Sequence, residues 1–150
     1  MKRLALTLLL AVSTALAADP FLGTWKLNLA KSRFLGDESM QELTITWAAN
    51  GDKLRVSGTG QSADGRPVRY SYEPIYDGKE YPPAGAWNWD SVSNNQVDEN
   101  TREDRYKKNG KIIRVERRSV SSDRKTLTYA IEAETPKGPA KGLLVFDRVN

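Results

Sequence analysis

The 150-residue sequence has no cysteine and no histidine. These absences exclude a Ser-His-Asp or Cys-His triad built within the chain. They also exclude a zinc site of the usual thiolate and imidazole kind, and any disulfide. The excess of one charge sign is small, 23 basic against 19 acidic residues. Beyond the first residues there are no long apolar runs, so no later segment approaches the roughly 20 residues of a membrane span. No metal site and no cofactor is implied.

The first residues form a unit of their own. Met1-Lys2-Arg3 is a basic start, and Leu4 to Leu16 is an apolar run broken only by Thr7, Ser13 and Thr14. Ala15-Leu16-Ala17 supplies a small-x-small cleavage site. This order of features is that of a secretory signal peptide. It predicts residues 1–17 as the signal, cleavage after Ala17, and one domain over residues 18–150. The product is expected to be exported, periplasmic or secreted, and monomeric, with an uncleaved anchor as the alternative. Without the signal the net charge falls from +4 to +2, and the apolar share to about 35%, against roughly 45% in globular domains. All four Trp, six Tyr and three Phe lie in the remainder. A domain short of aliphatics and rich in rings is served by alternating strands, which need only one apolar face.

The periodicity agrees. Leu43, Ile45 and Trp47 alternate with Thr44, Thr46 and Ala48; Val68, Tyr70 and Tyr72 with Arg69, Ser71 and Glu73; Leu127, Tyr129 and Ile131 with Thr128, Ala130 and Glu132. A period of two marks half-buried strands. Asn50-Gly51, Asp64-Gly65, Asp77-Gly78 and Asn109-Gly110 punctuate these runs with residues that tolerate the positive φ of tight hairpins. The pattern predicts strands at 22–30, 41–49, 52–59, 66–76, 79–82, 86–97, 101–108, 111–121, 125–134 and 141–149, with at most one helical turn leading into Ser39–Glu42. An antiparallel meander of eight to ten strands leaves two edges exposed unless it closes, so the expected fold is an all-β, up-and-down barrel.

Phe21-Leu22-Gly23-Thr24-Trp25-Lys26-Leu27, followed by Lys31-Ser32-Arg33-Phe34, resembles the first-strand signature of the lipocalin and fatty-acid-binding-protein (calycin) superfamily. The Gly23-Thr24-Trp25-Lys26-Leu27-Asn28 segment is similar to the start of exported bacterial lipocalin-like proteins. The resemblance implies that Gly23 and Trp25 open the first strand, that Trp25 plugs one barrel end, and that Arg148 packs on it. It also marks two departures. Lys31 to Met40 is too short for the two helices that fatty-acid-binding proteins carry between their first strands. Where those proteins place a carboxylate clamp of arginine and tyrosine, this chain has Leu144-Val145-Phe146.

A two-residue turn at Asn109-Gly110 fixes a register in which Lys108 faces Lys111, Tyr106 faces Ile113, Asp104 faces Val115 and Arg102 faces Arg117. Ile113 and Val115 mark that side as the inner one. Asp104, Arg102 and Arg117 would then point inward, either as an anchor for an acidic head group or as an internal salt-bridge network at the barrel mouth. Trp47, Tyr70, Tyr72, Tyr106 and Tyr129 also fall on inward positions. They would line a ligand site or simply fill the barrel. Trp87 and Trp89 share a face and would rim the open end, stack on a sugar or join the core.

Residues 101–125 hold ten basic and four acidic side chains. Arg105 would face Arg114 outside, with Arg118 further along. This basic face suits an anionic envelope polymer or is simply solvated. Nucleic acid is not expected as a partner. Gly58 to Ala63 fits a loose dinucleotide pattern, but no helix follows it. Asp98, Glu99, Glu103 and Asp104 lack the spacing of a calcium loop, and a carboxylate-dependent enzyme is the less favoured reading. The favoured reading is an exported barrel that binds a small hydrophobic or amphipathic ligand inside. An envelope interaction module is the alternative.

Overall fold

The structure, a computed structural model, describes residues 19–36, 38–83 and 88–149. The expected signal segment 1–17 and Trp87 lie outside the described residues. Ten strands are described: β1 (Gly23–Leu27), β2 (Met40–Asn50), β3 (Lys53–Ser62), β4 (Pro67–Tyr72), β5 (Glu80–Tyr81), β6 (Ser91–Asp98), β7 (Thr101–Lys108), β8 (Lys111–Val120), β9 (Thr126–Thr135) and β10 (Gly138–Val149). All pairs are antiparallel, in the order β4-β3-β2-β1-β10-β9-β8-β7-β6-β5. The first and last strands therefore pair, Trp25 opposite Arg148 and Leu27 opposite Phe146. The up-and-down barrel closes there, and among the described residues its ladder is interrupted between β4 and β5.

The turns form where their chemistry allows. Asn109 and Gly110 have φ of 50° and 76°, the two positive values that a primed two-residue hairpin requires. The strand expected to run to residue 76 stops at Tyr72, and the next, β5, has only two residues. Pro74, without an N–H to donate, sits in the connection and favours this break.

Between β1 and β2 there is one 3-10 turn, Leu29–Lys31, capped by the Asn28 side chain. Residues 39–42 and the loop before them were expected to hold one helical turn at most, and strand β2 begins there at Met40. An extended strap runs instead across the barrel end. Arg33 and Leu143 exchange two backbone hydrogen bonds of 2.6 and 2.7 Å, and Ala63 N–H donates to the Ser39 carbonyl at 3.0 Å. Leu35 drops from the strap into the core, over Gly142, where a side chain would press on Leu35 and on the Arg33 carbonyl.

The inner face is built as rungs of register partners. At the closed end Val120, Leu127, Phe146 and Leu27 line up. The next rung is Gln96, Arg102, Arg118, Tyr129 and Leu144. Above it come Asn94, Asp104, Glu116, Ile131 and Gly142, then Val92, Tyr106, Arg114, Ala133 and Ala140 near the mouth. On the opposite wall Trp47, Val56 and Tyr72 form one rung, and Ile45, Gly58 and Tyr70 another. The apolar core is thus concentrated at one end, and polar groups accumulate toward the other.

Candidate ligand-binding interior

The closed end is organised by Trp25, which is fully buried. Its Nε1 donates to the Phe21 carbonyl at 2.9 Å. Arg148, its register partner, lays its guanidinium 4.0 Å from the indole centroid. Arg148 also donates to three backbone carbonyls, those of Leu22 (2.7 Å), Pro20 (2.8 Å) and Arg124 (2.5 Å). Gly23 has φ of 129°, and a Cβ there would collide with the Arg148 guanidinium. The glycine is therefore required by the arginine that covers the tryptophan.

One layer inward, Arg102 is enclosed by rings. Its guanidinium lies 4.2 Å from the Phe21 centroid, 4.6 Å from Tyr76 and 5.2 Å from Trp47, distances of cation–π contact. Nη2 donates to Asp19 Oδ2 at 2.6 Å and Nε to Gln96 Oε1 at 2.8 Å. The Arg102 Nη1 and the Tyr76 hydroxyl are buried with no hydrogen-bond partner among the described residues.

The middle of the barrel holds Arg118, 2% exposed. It is ion-paired to Asp104 and, at 2.6 Å, to Glu116, and its guanidinium lies 4.8 Å from the Tyr129 centroid. Glu116 also holds Arg114 at 2.8 Å, and Arg114 reaches Glu38 on the strap at 3.0 Å. A chain of alternating charge thus runs from the barrel centre to its mouth. Burial raises the Asp104 carboxyl to about 6 in spite of Arg118 beside it. Glu116 is also desolvated, but Arg118 and Arg114 together hold it below the usual carboxylate range. A buried pair of this kind keeps its ions only because each is compensated.

Of the residues singled out in the sequence, Trp47 and Tyr129 are buried in the core, and Tyr70, Tyr72 and Tyr106 are half-buried and point inward. Tyr70 fits because Gly58 opposite has no side chain; a Cβ there would strike its ring. Trp89 packs edge-on against Tyr106 at 5.1 Å. Burial lifts the hydroxyls of Tyr70, Tyr72, Tyr76 and Tyr106 above the usual phenol range and pushes Tyr129 up to about 12. Tyr70, Tyr72, Tyr76 and Tyr106 are surrounded by protein yet keep accessible surface. These rings line the inner wall, and apolar side chains fill much of the interior. Two clefts, of about 420 and 240 Å3, open elsewhere. One is at the closed end by Pro20, Lys125 and Arg148, the other at the rim by Ile112, Val115 and Pro139.

Arg117 requires a correction. The hairpin register expected from Asn109-Gly110 holds for only two pairs, Lys108 with Lys111 and Lys107 with Ile112; Tyr106 then faces Arg114. Ile113 is the extra residue of a β-bulge, which moves every later side chain of β8 to the opposite face. Arg118, not Arg117, faces Arg102. Arg117 points outward and pairs with Glu103 at 3.3 Å. Val115 lies opposite the exposed Arg105, so it does not mark the inner face, and Arg114 and Arg118 leave the outer one. Arg114, Glu116, Arg118 and Tyr76 are the interior residues that the pattern missed. The available signal was the adjacent pair Ile112-Ile113, which breaks the period of two, followed by basic, acidic and basic residues at every second position.

The bulge also weakens the expected basic face. Arg114 and Arg118 turn inward, while Arg105 and Arg117 share Glu103, Lys107 pairs with Glu80 and Arg124 with Glu99. The four carboxylates of residues 98–104 are divided as well: Asp104 lies inside, Glu103 binds arginines outside, and Asp98 and Glu99 are exposed.

A fatty acid binding protein of Schistosoma mansoni in complex with arachidonic acid matches the structure with a TM-score of 0.60 at 14% identity, over 89% of this chain and 98% of that one. This chain has the calycin fold. A zebrafish ileal bile acid-binding protein complexed with cholic acid matches it with a TM-score of 0.52 at 12% identity, over 87% of this chain and 99% of that one. No family sequence model matches the chain, and no curated protein sequence does. Within the calycin fold, the strap between β1 and β2 stands where the resemblance placed two helices. Leu144 and Phe146 pack against the barrel core, at the positions where the resemblance placed a carboxylate clamp.

Proposed function

We propose that this chain is an exported calycin-fold protein that holds a small amphipathic molecule inside its barrel. The observation that carries this reading is a wall of rings: Tyr70, Tyr72, Tyr76 and Tyr106 are only partly buried and pack on or beside the barrel core. Rings with a few polar groups among them suit a small ligand. The matched barrels support the reading through their own ligands, arachidonic acid in one and cholic acid in the other. The seam between β4 and β5 is a place where the wall can open without breaking ladder hydrogen bonds among the described residues.

Native mass spectrometry of protein purified from its own host tests the reading. A co-purifying small molecule released on denaturation is the expected result. A bare protein that also shows no saturable binding of amphiphiles in tyrosine fluorescence overturns it. Export rests on residues 1–17, with their basic start, apolar run and small-residue site. N-terminal sequencing of the host's protein should start at Ala18, and a chain retaining Met1 in the cytoplasm overturns export. The outer-face alternative has lost much of its charge to ion pairs and gains no support.

A further inference from the structure

We infer that the molecule taken up by the barrel is an uncharged amphiphile with a hydrogen-bonding head, such as an alcohol, ester or amide, and not a carboxylic acid. The inference rests on the barrel-binding reading above and names the ligand class within it.

The interior cations already have their counter-ions. Arg102 is held by Asp19, Arg118 by Asp104 and Glu116, and Arg114 by Glu116 and Glu38. Three arginines thus face three enclosed carboxylates, with Glu38 as a fourth at the mouth. A carboxylate brought into this network would be an extra negative charge in a poorly hydrated space, or would have to expel one of the acids already there. Either route is costly. None of these three interior arginines is left without a carboxylate.

The unpaired polar atoms next to the rings ask for something else. The Arg102 Nη1 and the Tyr76 hydroxyl, on groups 4.6 Å apart by guanidinium and ring centre, have no partner among the described residues. A carbonyl or hydroxyl oxygen accepts from such donors without importing charge, and the phenol can also donate back to it. The Tyr106 hydroxyl is only loosely engaged, at 3.4 Å from Glu116 Oε2 and 3.4 Å from Arg118 Nη2. Tyr70 and Tyr72, stacked with centroids 6.2 Å apart, offer ring faces to an apolar body.

The test is a matched series with one tail and different heads: decanol, methyl decanoate and decanoate, repeated with oleyl alcohol, methyl oleate and oleate. Each competes at pH 7.5 with 1-aminoanthracene, an uncharged fluorescent probe. The alcohol and ester are expected to bind at least tenfold more tightly than the acid. An acid that binds as tightly as its alcohol, or more tightly, overturns the ligand class while leaving barrel binding intact. Saturable binding by none of the six overturns the barrel reading and the ligand class with it. Asp19→Asn frees the Arg102 guanidinium, and Glu116→Gln leaves Arg118 and Arg114 with one carboxylate fewer between them. In whichever variant keeps its strand circular dichroism, the preference should move toward the acid by about tenfold. An unchanged ratio in a folded variant also counts against the inference.

Discussion

Two residue-scale arrangements give measurable consequences. Gly23 is constrained twice, by its φ of 129° and by the Arg148 guanidinium that fills the space of its missing Cβ. Gly23→Ala should cost about 2–4 kcal/mol in urea unfolding, combining strain at a position that L residues rarely adopt with displacement of Arg148. In an Arg148→Ala background the same substitution should cost less, since only the backbone strain remains; equal costs in both backgrounds would show that the two residues do not interact. Asp104 gives a pH dependence. Its folded pKa is raised from 3.8 to about 6, so the folded chain keeps a proton that the unfolded chain has already released. Its contribution to stability is complete below about pH 4 and is lost as pH rises to about 6. Asp104→Asn stays neutral throughout. Measured against the parent chain, its stability should therefore improve between pH 4 and pH 7, by up to about 3 kcal/mol. A constant difference over that range would contradict the raised carboxyl, as would an Asp104 carboxyl carbon titrating near 4 by NMR.

At the scale of elements, the bulge in β8 decides which arginine is internal. Arg118→Ala leaves Asp104 and Glu116 without the cation they share and should cost about 3–5 kcal/mol. Arg117→Ala removes a half-exposed partner of Glu103 and should cost less than about 1 kcal/mol. Chemical denaturation of the two variants separates the bulged register from the unbroken one, which exchanges the two outcomes. This is also where the sequence was legible and where it was not. Strand identity and turn position could be read because alternation and Asn-Gly or Asp-Gly dipeptides are local signals. The bulge could not be read from the turn, since an Asn-Gly hairpin sets the register of the pairs beside it and says nothing about an extra residue three positions away. The error at Arg117 follows from that one residue, because side chains alternate with a period of two. Tyr76 was missed although it is in phase with Tyr70 and Tyr72 over the expected strand 66–76, because Pro74 interrupts the apolar alternation before it.

For the whole molecule, the closed meander was legible because ten alternating strands with short turns leave few other ways to protect their edges. The place of the seam was not, since it depends on how long each strand stays paired. Pro74 ends one run, and β5 holds only two residues. The result is a barrel of uneven stability. Strands β1, β9 and β10 are paired on both sides and carry Trp25, Leu127 and Phe146, each fully buried. Strand β4 is paired on one side only, with exposed residues at every second position, and β5 has a short ladder to β6 alone. Local opening has a low free-energy cost where buried apolar contacts are few and backbone pairs are at an edge. Native-state hydrogen exchange should therefore show amides of β4, β5 and the 73–79 connection exchanging first and those of β1, β9 and β10 last. If the barrel takes up its ligand through the seam, a saturating ligand should slow exchange in β4 and β5 most, because it binds only the state in which the Tyr70 and Tyr72 wall is in place. Uniform exchange across all ten strands would mean that the seam is not a point of opening, and uptake would then have to pass beneath the strap at the mouth.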